Sequence, residues 1–143
     1  MIDLSNKNAI VTGGARGIGK GIGESLSIAG ANVIVADLNL DEALRTAESF
    51  YDLGKGHKIA MNLDVTDDVS IADMVEKSIK EFDRIDILIN NAGIIGSGKW
   101  WERNIPNDDD WTQVHAVNVM GISKVTGAVS EHMKDRRYGK IVN

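Results

Sequence analysis

Cysteine is absent from the 143 residues, which excludes disulfides, thiolate metal sites and thiolate nucleophiles. That absence fits a reducing compartment, and a cytoplasmic location is expected. Basic charge is in short supply too: 16 Lys and Arg stand against 21 Asp and Glu, for a net charge of -5. No electrostatic footprint draws such a chain to phosphate backbones or anionic lipid, so neither nucleic acid nor membrane is an expected partner. No apolar stretch nears the roughly 20 residues that span a bilayer, and residues 1–14 carry neither a basic n-region nor a long apolar h-region. A soluble, untargeted protein is the expectation. Proline occurs once, at Pro106, and no repeat, low-complexity tract or linker divides the chain.

What is present suits one globular unit. Hydrophobic residues make up 43% and charged residues 26%, over a length that buries one sizeable core and not two. Short, near-continuous apolar runs of the kind that form buried parallel strands fall at 9–11, 33–36, 59–61, 85–89 and 141–142. Between them lie stretches of helical period: Ile18, Ile22 and Leu26, then Ile71, Val75 and Ile79, then Val114, Val117, Gly121, Val125 and Val129. Gly30 follows the first helix, Gly54 and Gly56 the second, and Asp108, Asp109 and Asp110 open the last and longest. Alternation of this kind predicts an α/β fold of five strands and four helices, a doubly wound parallel sheet in three αβα layers.

The sharpest motif is Thr12-Gly13-Gly14-Ala15-Arg16-Gly17-Ile18-Gly19, directly after the first strand and opening the first helix. Glycines there let backbone approach a pyrophosphate, the helix start offers free N–H groups, and the last glycine lets helix and strand pack closely. A ligand-free glycine turn is the plain alternative, disfavoured by the strand and helix on either side. Asp37 ends the second strand about 20 residues further on, where a carboxylate can bond the ribose hydroxyls of NAD. The spacing of Gly13, Gly17 and Gly19 resembles the T-G-x-x-x-G-x-G loop of the short-chain dehydrogenase/reductase (SDR) family, whose fold is of the Rossmann type. Asp64-Val65 is similar to the family's pair beside the adenine, Asn90-Asn91-Ala92-Gly93 to its N-N-A-G turn, and Asn118 to the asparagine that holds a water in its proton relay. Taken alone, each is also a turn residue or a solvent-facing asparagine.

The resemblance implies an oxidoreductase that moves hydride between a nicotinamide cofactor and a small-molecule alcohol or ketone, with a full-length parent that is a homo-oligomer. It places Gly13, Ala15, Arg16, Gly17, Ile18, Gly19, Asp37, Leu38, Asp64, Val65, Asn91, Ala92 and Gly93 at the cofactor and Asn118 at the catalytic centre. NAD is expected over NADP: a carboxylate at Asp37 would repel a 2′-phosphate by several kcal/mol at low effective dielectric, on an order-of-magnitude basis. Arg16 is the opposing signal, and neither Leu38 nor Asn39 adds a basic group.

The family's serine and its Y-x-x-x-K pair are missing. Residues 1–143 are therefore expected to be an NAD(P)-binding Rossmann domain, incomplete on the C-terminal side and truncated before those catalytic residues, with a catalytically silent nucleotide-binding module as the alternative. Tyr51-Asp52-Leu53-Gly54-Lys55 satisfies Y-x-x-x-K literally but falls at a helix end leading into the third strand, away from the carboxyl ends where ligands bind. His57, His115 and His132 lack metal-ligand spacing, and no metal is expected. Trp100-Trp101 either lines a substrate pocket or packs its own loop.

Overall fold

A computed structural model describes residues 2–51 and 55–143. Five strands, β1 (Asn8–Thr12), β2 (Asn32–Asp37), β3 (Lys58–Asn62), β4 (Ile87–Ile89) and β5 (Lys140–Val142), form one sheet in the order β3-β2-β1-β4-β5. All neighbours run parallel, with Ile10 level with Ile34 on one side and Leu88 on the other. Four helical stretches connect them: α1 (Gly17–Ile28), α2 (Leu40–Ser49), α3 (Asp68–Phe82), and a last one built from α4 (Asp108–His115), a π-helical segment (Ala116–Gly121) and α5 (Ile122–Asp135) without a break. The expected fold class and element count are what the chain adopts.

Strand residues alternate between faces, and two cores result. Ile10, Ile34 and Leu88 pack with Ile71 and Met74 of α3 and with Val125 and Val129 of α5. Val11, Val33, Val35 and Ile89 pack on the other face with Ala43 and Ala47 of α2 and with Phe50. The middle strands are covered on both sides, hence their continuous apolar sequence.

One helix differs from its expected packing. On α1 the fully buried positions are Gly19, Gly23 and Ser27, whereas Ile22 and Leu26 are half-buried and Ile18 is 79% exposed. The helix lies so near the sheet that the Phe50 ring fills the space beside Gly23, and only small residues fit the seam. Apolar periodicity therefore points to the flank of this helix, not to its inner face.

The chain order reverses at β1, whose neighbours β2 and β4 lead away in opposite directions. In open α/β sheets the crevice at such a switch point, beyond the carboxyl ends of the strands, is where ligands bind.

Candidate functional site

β1 ends at buried Thr12, whose Oγ1 accepts the N–H groups of Asn91 and Ala92 at 3.0 Å each. Asn91 answers by donating its side-chain amide to the carbonyls of Thr12 and Gly13, both at 3.0 Å. The turn after β4 is thus riveted to the glycine loop after β1. Gly13 has φ +62°, and a Cβ there would sit 2.8 Å from the Ala92 Cα. At Gly19 a Cβ would run into the Gly13 carbonyl and lie 2.5 Å from the Asn91 amide nitrogen. Both glycines are demanded by close backbone approach.

The start of α1 is left open. Helices α2, α3 and α4 each begin at a side chain, Asn39, Asp67 and Asn107 respectively, that accepts a backbone N–H of the first turn, from Glu42, Val69 and Asp110, and each has an acid in that turn. Arg16, in the corresponding place before α1, makes no such bond, and no acid follows in the first turn. Several amide donors and the positive end of the helix dipole therefore face the crevice without a protein partner, which is the chemistry of an anion seat.

Around this seat lies a cleft of about 370 Å³. Gly13, Arg16, Ile18, Gly19, Asp37, Leu38, Asp64, Val65, Asn91, Ala92 and Gly93 line it. Ala15 and Gly17 are not among the lining residues. Ala15 is buried and donates its N–H to Asp37 Oδ2 at 3.1 Å, and Gly17 is the first residue of α1, with φ +54°. Asp37 Oδ1 accepts the Asn39 N–H at 3.0 Å, so the carboxylate is held from both sides at the cleft edge. Asp64 Oδ1 takes the Thr66 N–H and hydroxyl at 2.8 and 2.6 Å, which folds the turn after β3.

Beyond Asp37 a second recess is lined by Arg16, Asp37, Asp41 and Glu42 with Leu38, Asn39 and Leu40. Three carboxylates against one guanidinium make it unfavourable for a further phosphate. The opposite end of the cleft, from Asn91 to Ile94 with Val117, is uncharged.

Asn118 lies on the π-helical segment. Its Oδ1 accepts the Ile94 N–H at 2.9 Å and its Nδ2 donates to the Ile94 carbonyl at 2.8 Å. Both halves of the amide are thus occupied by the backbone that follows Gly93. Val65 packs on Gly121 in the same segment, so the π turn is seated against the cleft wall.

Sequence reading missed Leu63, Ile94 and Val117 as lining residues. Leu63 and Ile94 adjoin expected positions and could have been inferred from them, but Val117 depends on where the last helix passes the sheet. The π segment had no visible signal.

Tyr51, by contrast, donates its hydroxyl to the carbonyl of Lys58 at 3.1 Å, at the start of β3 and thus at the amino ends of the strands. Asp52, Leu53 and Gly54 lie outside the described residues. Among the described residues no group of three His, Asp or Glu side chains could hold a metal, and no helix is long and apolar enough to cross a membrane.

Comparison with known proteins agrees with this geometry. The profile of the short chain dehydrogenase family matches residues 7–143. Oxidoreductase UcpA of Escherichia coli (strain K12) is 36% identical over 143 residues, covering 99% of this chain and 52% of the relative. Fluoren-9-ol dehydrogenase of Terrabacter sp. (strain DBF63) is 34% identical over 146 residues, covering 99% and 40%. The 3-oxoacyl-[acyl-carrier-protein] reductase FabG of Escherichia coli (strain K12) is 33% identical over 141 residues, covering 99% and 55%. The chain spans about half the length of the curated relatives it matches.

Proposed function

Because the chain belongs to the short chain dehydrogenase family, we propose that residues 1–143 form the NAD-binding part of an oxidoreductase acting on an alcohol or ketone. The serine, tyrosine and lysine of the family then lie in the portion of the relatives that this chain does not span. The observation that carries the reading is the uncapped start of α1 beneath the glycine loop: of the four helical stretches that follow a strand, among the described residues, it is the one that begins with neither a capping side chain nor an acid in its first turn.

The residues fit the cofactor in detail. The uncapped amide donors at the start of α1 would hold a pyrophosphate, and Gly19 lets that helix start lie against the Gly13 carbonyl. Asp37, already oriented by Ala15 and Asn39, keeps lone pairs for the ribose hydroxyls. Of the residues that line the cleft, Leu38, Leu63, Asp64 and Val65 would surround the adenine and Asn91 to Ile94 would border the nicotinamide. The acidic recess formed by Asp37, Asp41 and Glu42 supports NAD over NADP, because a 2′-phosphate would enter it against those carboxylates.

When bound, the nicotinamide accepts or donates one hydrogen with its electron pair, while the hydroxyl proton of the alcohol travels separately. In this chain the protein's part is to bind and orient. Asn118 holds the backbone at Ile94 in place and, being an amide, exchanges no proton itself.

Titration of NADH emission tests the reading. The unmutated chain is expected to bind, and Gly19→Val to lose binding at least tenfold, about 1.4 kcal/mol. Retained binding in Gly19→Val would put the cofactor elsewhere.

A further inference from the structure

The inner face of α2 buries Ala43, Thr46 and Ala47, and Thr46 is the polar member of that set. Threonine is a poorer helix former than alanine. In mid-helix it ordinarily faces solvent or returns its hydroxyl to the carbonyl four residues back. Thr46 does neither. The residue is 4% exposed, and its hydroxyl crosses to the glycine loop, where it donates to the Ala15 carbonyl at 2.5 Å. A buried carbonyl has to be paired, and Thr46 pairs this one.

The N–H of the same alanine donates to Asp37 Oδ2 at 3.1 Å. Ala15 is thus a link one residue long: α2 fixes it at its oxygen, and it offers its N–H to the carboxylate that ends β2. The other oxygen of Asp37 depends on the same helix. Oδ1 accepts the Asn39 N–H at 3.0 Å, and Asn39 caps α2 by taking the Glu42 N–H at 3.1 Å. Both oxygens are therefore oriented from α2, one through its cap and one through Thr46. The last torsion of a carboxylate is broad, so these two N–H donors are what set the plane of its remaining lone pairs.

We propose that Thr46 is a specificity-determining positioning residue. Acting through Ala15, its hydroxyl holds Asp37 so that the carboxylate presents free lone pairs to paired ribose hydroxyls and negative charge to a 2′-phosphate. The ligand class it selects is a dinucleotide whose adenosine 2′-hydroxyl is unesterified. The proposal rests on the cofactor reading above. Thr46 itself lines neither the cleft nor the acidic recess, so its influence on the ligand passes through Asp37.

Fluorescence titration with NADH and with NADPH tests this on the unmutated chain, Thr46→Val, Thr46→Ser, Asp37→Ala and Asp37→Ala/Thr46→Val. Thr46→Val keeps the shape of the side chain and deletes the donor. Its NADH affinity is expected to fall about fivefold while its NADPH affinity changes by less than about twofold, which narrows the preference. Thr46→Ser keeps the hydroxyl and is expected to bring the preference back to within about twofold of the unmutated value. In the Asp37→Ala background, Thr46→Val is expected to change NADH affinity by less than about twofold, because its target is gone. A merely structural role would lower both affinities alike and would add to the effect of Asp37→Ala. An unaltered preference in Thr46→Val, or an undiminished loss in the Asp37→Ala background, overturns the proposal. Where circular dichroism shows Thr46→Val unfolded, Thr46→Ala replaces it with the same expectation. Failure of the unmutated chain to bind NADH overturns the cofactor reading and this proposal with it, whereas NADH binding with a preference indifferent to Thr46 overturns this proposal alone.

Discussion

Asp86 shows what a single residue at the amino end of the sheet contributes. Its side chain is 1% exposed, yet it is bonded to the Asn8 N–H at 3.0 Å, to Arg84 Nε at 3.1 Å and to Arg136 Nη2 at 3.1 Å. Burial would raise its pKa, but the Asn8, Arg136 and Arg84 contacts outweigh that and lower it. A folded value below the unfolded one means stability that is present above about pH 4 and lost as pH falls through the folded value. Asp110 is shifted in the same direction, by Ser97, Asn107 and Arg103. Acid unfolding followed by circular dichroism is therefore expected to begin only below about pH 4. Asp86→Ala should cost about 3 kcal/mol in urea at pH 7, since it removes the carboxylate partner of Arg84 and Arg136 and leaves the buried Asn8 amide without its acceptor. A cost under about 0.5 kcal/mol would show that the cluster is not a net support.

At the scale of elements, the glycine loop and the strands were legible in sequence because each obeys a local rule. Val33 to Ala36 is a continuous apolar run because both faces of β2 are covered, and Gly13 and Gly19 stand where two backbones meet. The inner face of α1 was not legible, since a seam this tight selects Gly19, Gly23 and Ser27, which carry no hydrophobic signal. The π-helical turn was hidden for another reason. It is a tertiary adjustment that aims Asn118 at Ile94 and seats Gly121 under Val65, and nothing in residues 116–121 announces it. Asn118→Ala removes both bonds to Ile94 and should destabilise the chain by about 1–3 kcal/mol. Urea unfolding measures it, and a change within 0.5 kcal/mol, an ordinary surface value of that order, would remove Asn118 as the anchor of the 91–94 turn.

As a whole molecule, the chain is a sheet with its cleft at the carboxyl ends of the strands and the buried Asp86 cluster at the amino ends. The groups lining the cleft among the described residues include Arg16, Asp37 and Asp64 but no tyrosine, lysine or histidine. General acid–base catalysis needs a titrating group within reach of the substrate oxygen. The purified chain is therefore predicted to bind NADH without turning over an alcohol or ketone, and turnover dependent on Tyr51 and Lys55 would contradict that. The central claim is that this crevice is built for NAD, with Asp37 reading the ribose. Its most direct test is a parallel titration of the chain with NADH and NADPH by fluorescence, repeated on Asp37→Ala. The account predicts NADH binding tighter by at least about tenfold, with the gap narrowed in the variant, whereas equal affinity for the two cofactors in the unmutated chain would contradict it.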